Sequence, residues 1–352
     1  MGPVSTVIHE LSKELGEIGH DVEIADARAS ERTTALRIME LDVPPRDGSD
    51  TWEKERALTA ALAKRDLRRF DIVHTHEWPT SYYLHRHGIR TVYTAHTPIW
   101  TSFTGLRLLT DRLRRLVLPH EYKVIQDSLL TVALGDYLRV KDANIAVIPS
   151  GIRTEDWPPL QRNRGVFTVL FVGRIVPVKG VHVLVEALRR LPFEYRAVFV
   201  GPPAEHSRDS KDATPYARRV QAEAREMPVT FTGFVDNRSR QFREYVSQAH
   251  VLVVPSLFDA QGLVVLEALA KGLPVIASDV GGIGMMVSDK VGRLVPPSDA
   301  AALARAITEL HDNPNVLQAM ASCARDHVVR NFSWRACAEA YSAAMQRSLR
   351  AS

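Results

Sequence analysis

Short apolar runs alternate along most of the chain with stretches whose apolar positions recur every three or four residues, the pattern of a parallel α/β architecture. The chain opens in a helix: Val4, Ile8, Leu11, Leu15 and Ile18 share one face, Gly19 caps it, and His20 to Ile24 begins a strand. In a doubly wound domain a strand precedes such a helix, so the pattern predicts an N-terminal domain lacking its first strand. Further strands are expected at 37–41, 71–76, 90–96, 128–134 and 144–150, with helices near 53–65 and 105–118. Gly151 to Arg164 carries Pro158 and Pro159 without apolar periodicity and reads as an interdomain linker.

A second alternation follows, with strands at 167–173, 196–201, 229–235, 250–256 and 274–278 and helices near 181–191, 216–226, 240–249 and 262–271. Beyond Gly292 to Pro296 the pattern is helical to the end, with Ser298 or Asp299 as one N-cap and Ser333 as another. The expected fold is therefore two Rossmann-like, doubly wound α/β domains facing a cleft. They span 1–157 and 158–332, with a C-terminal helix, 333–352, packing back toward the first.

A length of 352 residues fits two domains, and 45% hydrophobic with 24% charged residues is a soluble globular composition. The formal net charge of +4 is too small to favour nucleic acid over any other anion. Cys323 and Cys337 have no zinc or redox spacing and read as core residues of a reducing compartment. The most apolar region, 262–278, is interrupted by Glu267 and Lys271, which excludes a spanning helix there.

Ligands of open α/β sheets bind at the C-terminal ends of the strands, so those loops hold the candidate chemistry. Arg174 and Lys179 follow a strand ending in Gly173 and precede a helix; they either converge on a diphosphate or are solvated surface cations. Pro255 to Ala268 runs from a strand into a helix, where the amides of Gly262 and Leu263 suit a phosphate. Asp259 either faces the ligand or caps the helix, while Glu267, surrounded by apolar residues, suits ribose or sugar hydroxyls. The same two carboxylates could serve a glycosidase, although the neighbouring phosphate-suited features argue against it.

His96 ends the 90–96 strand and can donate to a phosphate or a departing sugar, or be structural. His74 and His76, followed by Glu77, lie on the strand before it and can face an acceptor hydroxyl; a metal site there lacks an obvious third ligand.

Taken together, Gly173-Arg174 with Lys179-Gly180, then Pro255-Ser256, then acidic residues 259 and 267, then Gly272 to Ser278 and Gly281-Gly282, resemble the retaining GT-B glycosyltransferases of family 4, also called group 1. The resemblance covers nearly the whole chain, from Leu11–Val22 through Phe332-Ser333-Trp334. It implies a metal-independent hexosyltransferase-type enzyme that moves a sugar from a nucleoside diphosphate sugar, its co-substrate, to an acceptor hydroxyl and keeps the anomeric configuration. It further implies that Arg174 and Lys179 bind the diphosphate and that Gly262 and Leu263 offer amides to it. Glu267 would bind ribose, Asp259 the transferred sugar, and His96 would lie at the reacting centre; no cofactor is implied. An epimerase, a phosphorylase or a non-catalytic nucleotide-sugar binder on this scaffold are the alternatives.

Three features depart from the family pattern. Asp259 and Met285 stand where the family has glutamate, and the family's first strand and most of its glycine loop would precede Gly2. The sequence thus predicts a late-assigned start or an incomplete chain. The segment 106–118 reads as a basic amphipathic helix, suited to an anionic membrane surface or to packing on the N-terminal sheet. The expected acceptor is a sugar, a lipid-linked or a small molecule, and the expected location is the cytoplasm or the inner membrane face, with no nucleic-acid partner.

Overall fold

A computed structural model of the protein describes residues 3–26, 37–41, 51–62, 64–96, 111–159, 165–203 and 214–351. The chain divides into two compact units: 1–151 together with 334–352, and 152–333. The division falls ahead of the 157/158 boundary that the linker composition suggests. Residues 152–159 are fastened within the second unit, because Ile152 N–H donates to Phe332 O and Arg325 donates to the carbonyls of Thr154 and Trp157.

In the first unit the described elements run α1 (Pro3–Glu17), β1 (Glu23–Asp26), β2 (Arg37–Glu40), α2 (Thr51–Leu62), β3 (Val73–Thr75), α3 (Trp78–Arg86), β4 (Thr91–Ala95), α4 (Asp111–Asp127), β5 (Leu130–Ala133) and β6 (Ile145–Val147). Strands β3-β4-β5-β6 form a parallel four-stranded sheet, and β1-β2 a parallel pair. Successive residues of β4 serve opposite faces, as strand geometry requires. Val92 packs with Leu11 of α1 and Tyr341 of the C-terminal helix, whereas Tyr93 and Ala95 pack with Val124 and Ile125 of α4. Helix α3 is absent from the periodicity reading, and α4 runs past the expected end at 118, with Pro119 inside it. The predicted basic helix at 106–118 is outside the described residues in its first part, as are the side chains of its remainder.

The second unit runs β7 (Phe167–Val172), α5 (Val181–Leu188), β8 (Tyr195–Val200), α6 (Pro215–Glu223), β9 (Val229–Gly233), α7 (Arg240–Gln248), β10 (Val251–Val254), α8 (Leu263–Ala270), β11 (Val275–Ser278), α9 (Ile283–Met286), β12 (Gly292–Val295), α10 (Ala300–Asp312) and α11 (Pro314–Phe332). The sheet order is β12-β11-β10-β7-β8-β9, every pair parallel. The chain winds outward from β7 in one direction and from β10 in the other, so these two adjacent strands flank the switch point of the sheet.

Alternation along the strands builds a core on each face. Val169, Phe171, Val251 and Val253 pack with α5, α6 and α10, while Leu170, Leu252 and Val254 pack with α7, α8 and α9. Helix α11 serves both faces, entering one core with Leu317 and Met320 and the other with Val328 and Phe332. Asp299 is the N-cap of α10, accepting Ala302 N–H at 2.8 Å, while Ser298 has a φ of 61°. Strand β12 was not expected from the sequence. Its Gly292-Arg293-Leu294-Val295 is short and carries a charge, and it pairs only with β11 at the sheet edge.

After α11 the chain returns to the first unit as α12 (Trp334–Ala351). Trp334, Ala338, Tyr341 and Met345 pack with Val7 and Leu11 of α1 over Val92 and Leu130. Cys337 is buried in this helix, whereas Cys323 on α11 is exposed and not a core residue, because it lies on the helix side turned from Ala324 and Val328. Leu11 is 2% exposed where α1 meets α12. Leu11→Ala should therefore lower unfolding free energy by about 2–5 kcal/mol, measured by urea denaturation.

Candidate functional site

In the second unit three loops meet at one residue, Asp259. β7 ends at Gly173, and the chain passes through exposed Arg174 into a single turn, Pro177–Lys179. Gly180 follows with a φ of 63°, and a Cβ there would stand 1.8 Å from the carbonyl oxygen of Pro255. Leu257 N–H donates to Val178 O at 2.8 Å beside this contact. The loop after β7 is thereby pressed against the loop after β10.

As a result, Lys179 Nζ donates to Asp259 Oδ2 at 2.5 Å in a partly buried pair. The other oxygen, Oδ1, accepts the N–H of Gly262 at 2.9 Å and of Gln261 at 3.4 Å, closing the turn that leads into α8. A third loop arrives from β11: Gly282 N–H donates to Asp259 O at 3.2 Å, and a Cβ on Gly281, whose φ is 55°, would stand 1.9 Å from that oxygen. On the same stretch, Ser256 Oγ and Gln261 Nε2 are buried without a hydrogen-bond partner among the described residues.

Helix α8 carries the remaining carboxylate. Leu263 opens the helix, and Glu267 lies one turn further on, partly buried. Burial pushes the Glu267 carboxyl up to about 7, a rise that the neighbouring Lys271 ammonium partly offsets. Lys271, only 5% exposed, lies 4.5 Å from the Trp157 ring centroid and 4.6 Å from that of Phe242. Burial lowers its ammonium to about 8, and the Glu267 charge partly offsets this. Two aromatic faces supply some of the stabilisation that water gives an exposed ammonium.

The sequence-predicted residues of this unit thus fall into distinct groups. Lys179, Asp259 and Gly262 are joined by hydrogen bonds, Leu263 is next in line, Arg174 stands exposed at the end of β7, and Glu267 is within α8. Lys271 was noted in the sequence only as an interruption of an apolar run. Its signal is its position four residues after Glu267, one helical turn away.

The first unit gathers histidines from adjacent strands. β3 and β4 pair His74 with Val92, so the residues after them rise side by side. His76 Nδ1 and His96 Nε2 share a hydrogen bond of 2.9 Å, and the His74 and His76 ring centroids are 4.4 Å apart. His74 Nε2 bonds Thr94 Oγ1 at 2.7 Å, which bonds Tyr341 OH at 3.0 Å. Burial lowers His74 to about 3 and His96 to about 4, and holds His76 well below its ordinary range, so all three are neutral at neutral pH. Glu77 is exposed at the N-cap position of α3. Among the described residues, no group of three His, Cys, Asp or Glu side chains is arranged to hold a metal. Thr94 and Tyr341 were not singled out from the sequence, since Tyr341 joins the cluster from the far end of the chain.

A doubly wound unit with a lysine and helix-start amides converging at its switch point, in one chain with a second parallel α/β unit, is the two-domain class of sugar-transferring enzymes known as GT-B. The comparisons agree. Residues 2–156 match Glycosyltransferase Family 4, and residues 153–327 match Glycosyl transferases group 1. Alpha-maltose-1-phosphate synthase of Mycobacterium tuberculosis is 32% identical over 306 residues, 76% of each chain. Glycogen synthase of the same organism is 27% identical over 381 residues, 97% of this chain and 90% of that one. The chain belongs to the group 1, family 4 glycosyltransferases. Its fold is that of sucrose-phosphate synthase from Thermosynechococcus elongatus, with a TM-score of 0.77 at 24% identity over 100% of this chain and 94% of that one. Anabaena HepE in complex with UDP and glucose shares the fold, with a TM-score of 0.67 at 16% identity over 98% and 96% of the two chains. No described helix is long and apolar enough to cross a membrane.

Two predictions test this geometry. Gly180→Ala places a side chain in left-handed backbone and against a carbonyl, and should destabilise the second unit by more than about 2 kcal/mol, seen as a lowered melting temperature. Glu267→Gln tests the buried carboxyl. With a folded value near 7 against an ordinary 4.5, the folded state holds the extra proton between these values, so Glu267 costs stability increasingly as pH rises through that window. Relative to wild type, the glutamine variant should gain up to about 3 kcal/mol between pH 4.5 and 7, and a constant difference above that, in denaturant titrations.

Proposed function

We propose that this glycosyltransferase is a retaining, metal-independent enzyme that moves a hexosyl group from a nucleoside diphosphate sugar to an acceptor hydroxyl, with no cofactor beyond that co-substrate. The observation that carries the reading is the convergence of Lys179 and the Gly262 amide at the ends of β7 and β10. An ammonium and the first amides of a helix are the groups that hold a phosphate.

In this reading Arg174 and Lys179 neutralise the diphosphate as it departs, and the amides of Gly262 and Leu263 receive its oxygens. Such fixed positive charge supports a leaving group without a metal, because it is oriented before charge develops. Glu267 binds the ribose hydroxyls in its ionised form, and Asp259 the transferred sugar. His96 serves at the reacting centre as a neutral imidazole that donates an N–H to oxygen. His76 and Glu77 lie on the acceptor side.

Relatives support the donor and acceptor classes. Among the relatives are glycogen synthase and a D-inositol 3-phosphate glycosyltransferase of Corynebacterium diphtheriae, the latter 29% identical over 392 residues, named for a glucan and for a polyol phosphate. HepE has been solved with UDP-glucose. The acceptor of this chain would be of the same hydroxyl-bearing kind, a sugar, a polyol phosphate or a lipid-linked sugar.

The reading is tested by incubating the protein with UDP-, GDP- and ADP-sugars, an excess of chelator and a panel of such acceptors. Nucleoside diphosphate release and the anomeric proton signals of the product are then followed. Release in chelator with retained configuration is expected; an inverted product, or activity restored only by a divalent metal, would overturn it. Glu267→Ala should weaken donor binding about tenfold, a loss of about 1.4 kcal/mol.

A further inference from the structure

We propose that Asp259 is an internal anion, whose carboxylate holds the charge position of the donor diphosphate while the site is empty and yields it when a diphosphate enters. The proposal rests on the donor reading above and adds a residue that sets how tightly that donor is held.

The carboxylate of Asp259 is matched by the donors that a phosphate would use. Oδ2 takes Lys179 Nζ at 2.5 Å, and Oδ1 takes the Gly262 N–H at 2.9 Å. The Gly262 amide has one proton, already committed to Asp259, so a phosphate oxygen that accepts it must displace the carboxylate. The main chain at Asp259 does not have to move for this. Its carbonyl accepts from Gly282 N–H at 3.2 Å, and Gly281 lies against it, so rotation of the side chain suffices. Aspartate has the length to accept amides two and three residues ahead; glutamate, one methylene longer, does not settle there as well.

A second observation on the same loop points to a ligand. Ser256 is fully buried, at 0% exposure, and among the described residues its hydroxyl has no partner; the Gln261 Nε2 atom is likewise buried and unpaired among them. Native chains rarely leave such groups unsatisfied, and strain, a catalytic role or a bound water or ion accounts for those they do. An entering diphosphate sugar, rich in acceptor oxygens, would supply partners as the carboxylate swings away. The released carboxylate is then available to the hydroxyls of the transferred sugar, which couples phosphate capture to sugar capture in one side chain.

The test is isothermal titration of UDP, GDP and ADP, and of the matching phosphate-free nucleosides, into wild type and Asp259→Asn. Asparagine still accepts the Gly262 amide, so the loop keeps its turn while Lys179 loses its anion. The nucleoside diphosphate that wild type binds should bind Asp259→Asn at least fivefold more tightly, with the nucleoside unchanged. In a Lys179→Met background the same substitution should give no gain. If Asp259→Asn fails to fold, Asp259→Glu is measured instead and should also tighten the diphosphate. Unchanged or weaker diphosphate binding in the folded variant overturns the internal-anion role alone. Absence of nucleotide binding by wild type and variants alike overturns the donor reading and this proposal with it.

Discussion

The second unit depends on a contact between two backbones. Gly180 lies against the carbonyl of Pro255 so closely that no side chain fits between them. β7 and β10 are neighbours, but the chain leaves them for helices on opposite faces of the sheet, and nothing in the winding itself brings the two exit loops together. The glycine contact does so, with the Leu257 to Val178 hydrogen bond beside it. Lys179 reaches Asp259 only because its neighbour can approach that closely. The chemistry of the half-site is thus a consequence of a missing side chain.

The molecule carries several groups that a purely structural core would avoid. Glu267 holds a carboxyl whose burial opposes its charge, Lys271 holds an ammonium between two rings, and Ser256 and Gln261 keep polar atoms unpaired. In the first unit three neutral histidines occupy the strand ends. Such arrangements gather where binding or catalysis has been favoured over stability. Ser256, Gln261 and the histidines lie at the C-terminal ends of parallel strands, where the strands' own geometry opens the sheet to ligands, while Glu267 lies within α8 and Lys271 at its far end.

Local chemistry was legible in the sequence and long-range chemistry was not. The strands β7 and β10 announce themselves by dense aliphatic runs, and the diphosphate loop by glycine, arginine and lysine within a few residues. The i, i+2 histidines of β3 were visible, but the bond from His76 to His96 depends on the register of two strands. Tyr341 enters through a helix that follows the entire second unit. Helix α3 was hidden because its nine residues, Trp78–Arg86, are aromatic and polar with one buried leucine, Leu84, to mark a face. β12 was hidden because an edge strand of four residues with an arginine resembles a turn. For Asp259 the sequence left open a choice between ligand contact and helix cap. The fold shows neither: Gly262 is the N-cap residue of α8, and the carboxylate that grips Lys179 closes the turn ahead of it by accepting the Gly262 amide.

The return of α12 to the first unit makes that unit discontinuous along the chain, while the second is one uninterrupted stretch. During synthesis the second unit can close as soon as its last strand and α11 have emerged. The first must wait with the apolar faces of Leu11, Val92 and Leu130 uncovered until Trp334 to Met345 arrive. The unit begun before the second is therefore completed after it, and the hydrogen bond between Thr94 and Tyr341 joins stretches that lie on either side of the second unit in the chain.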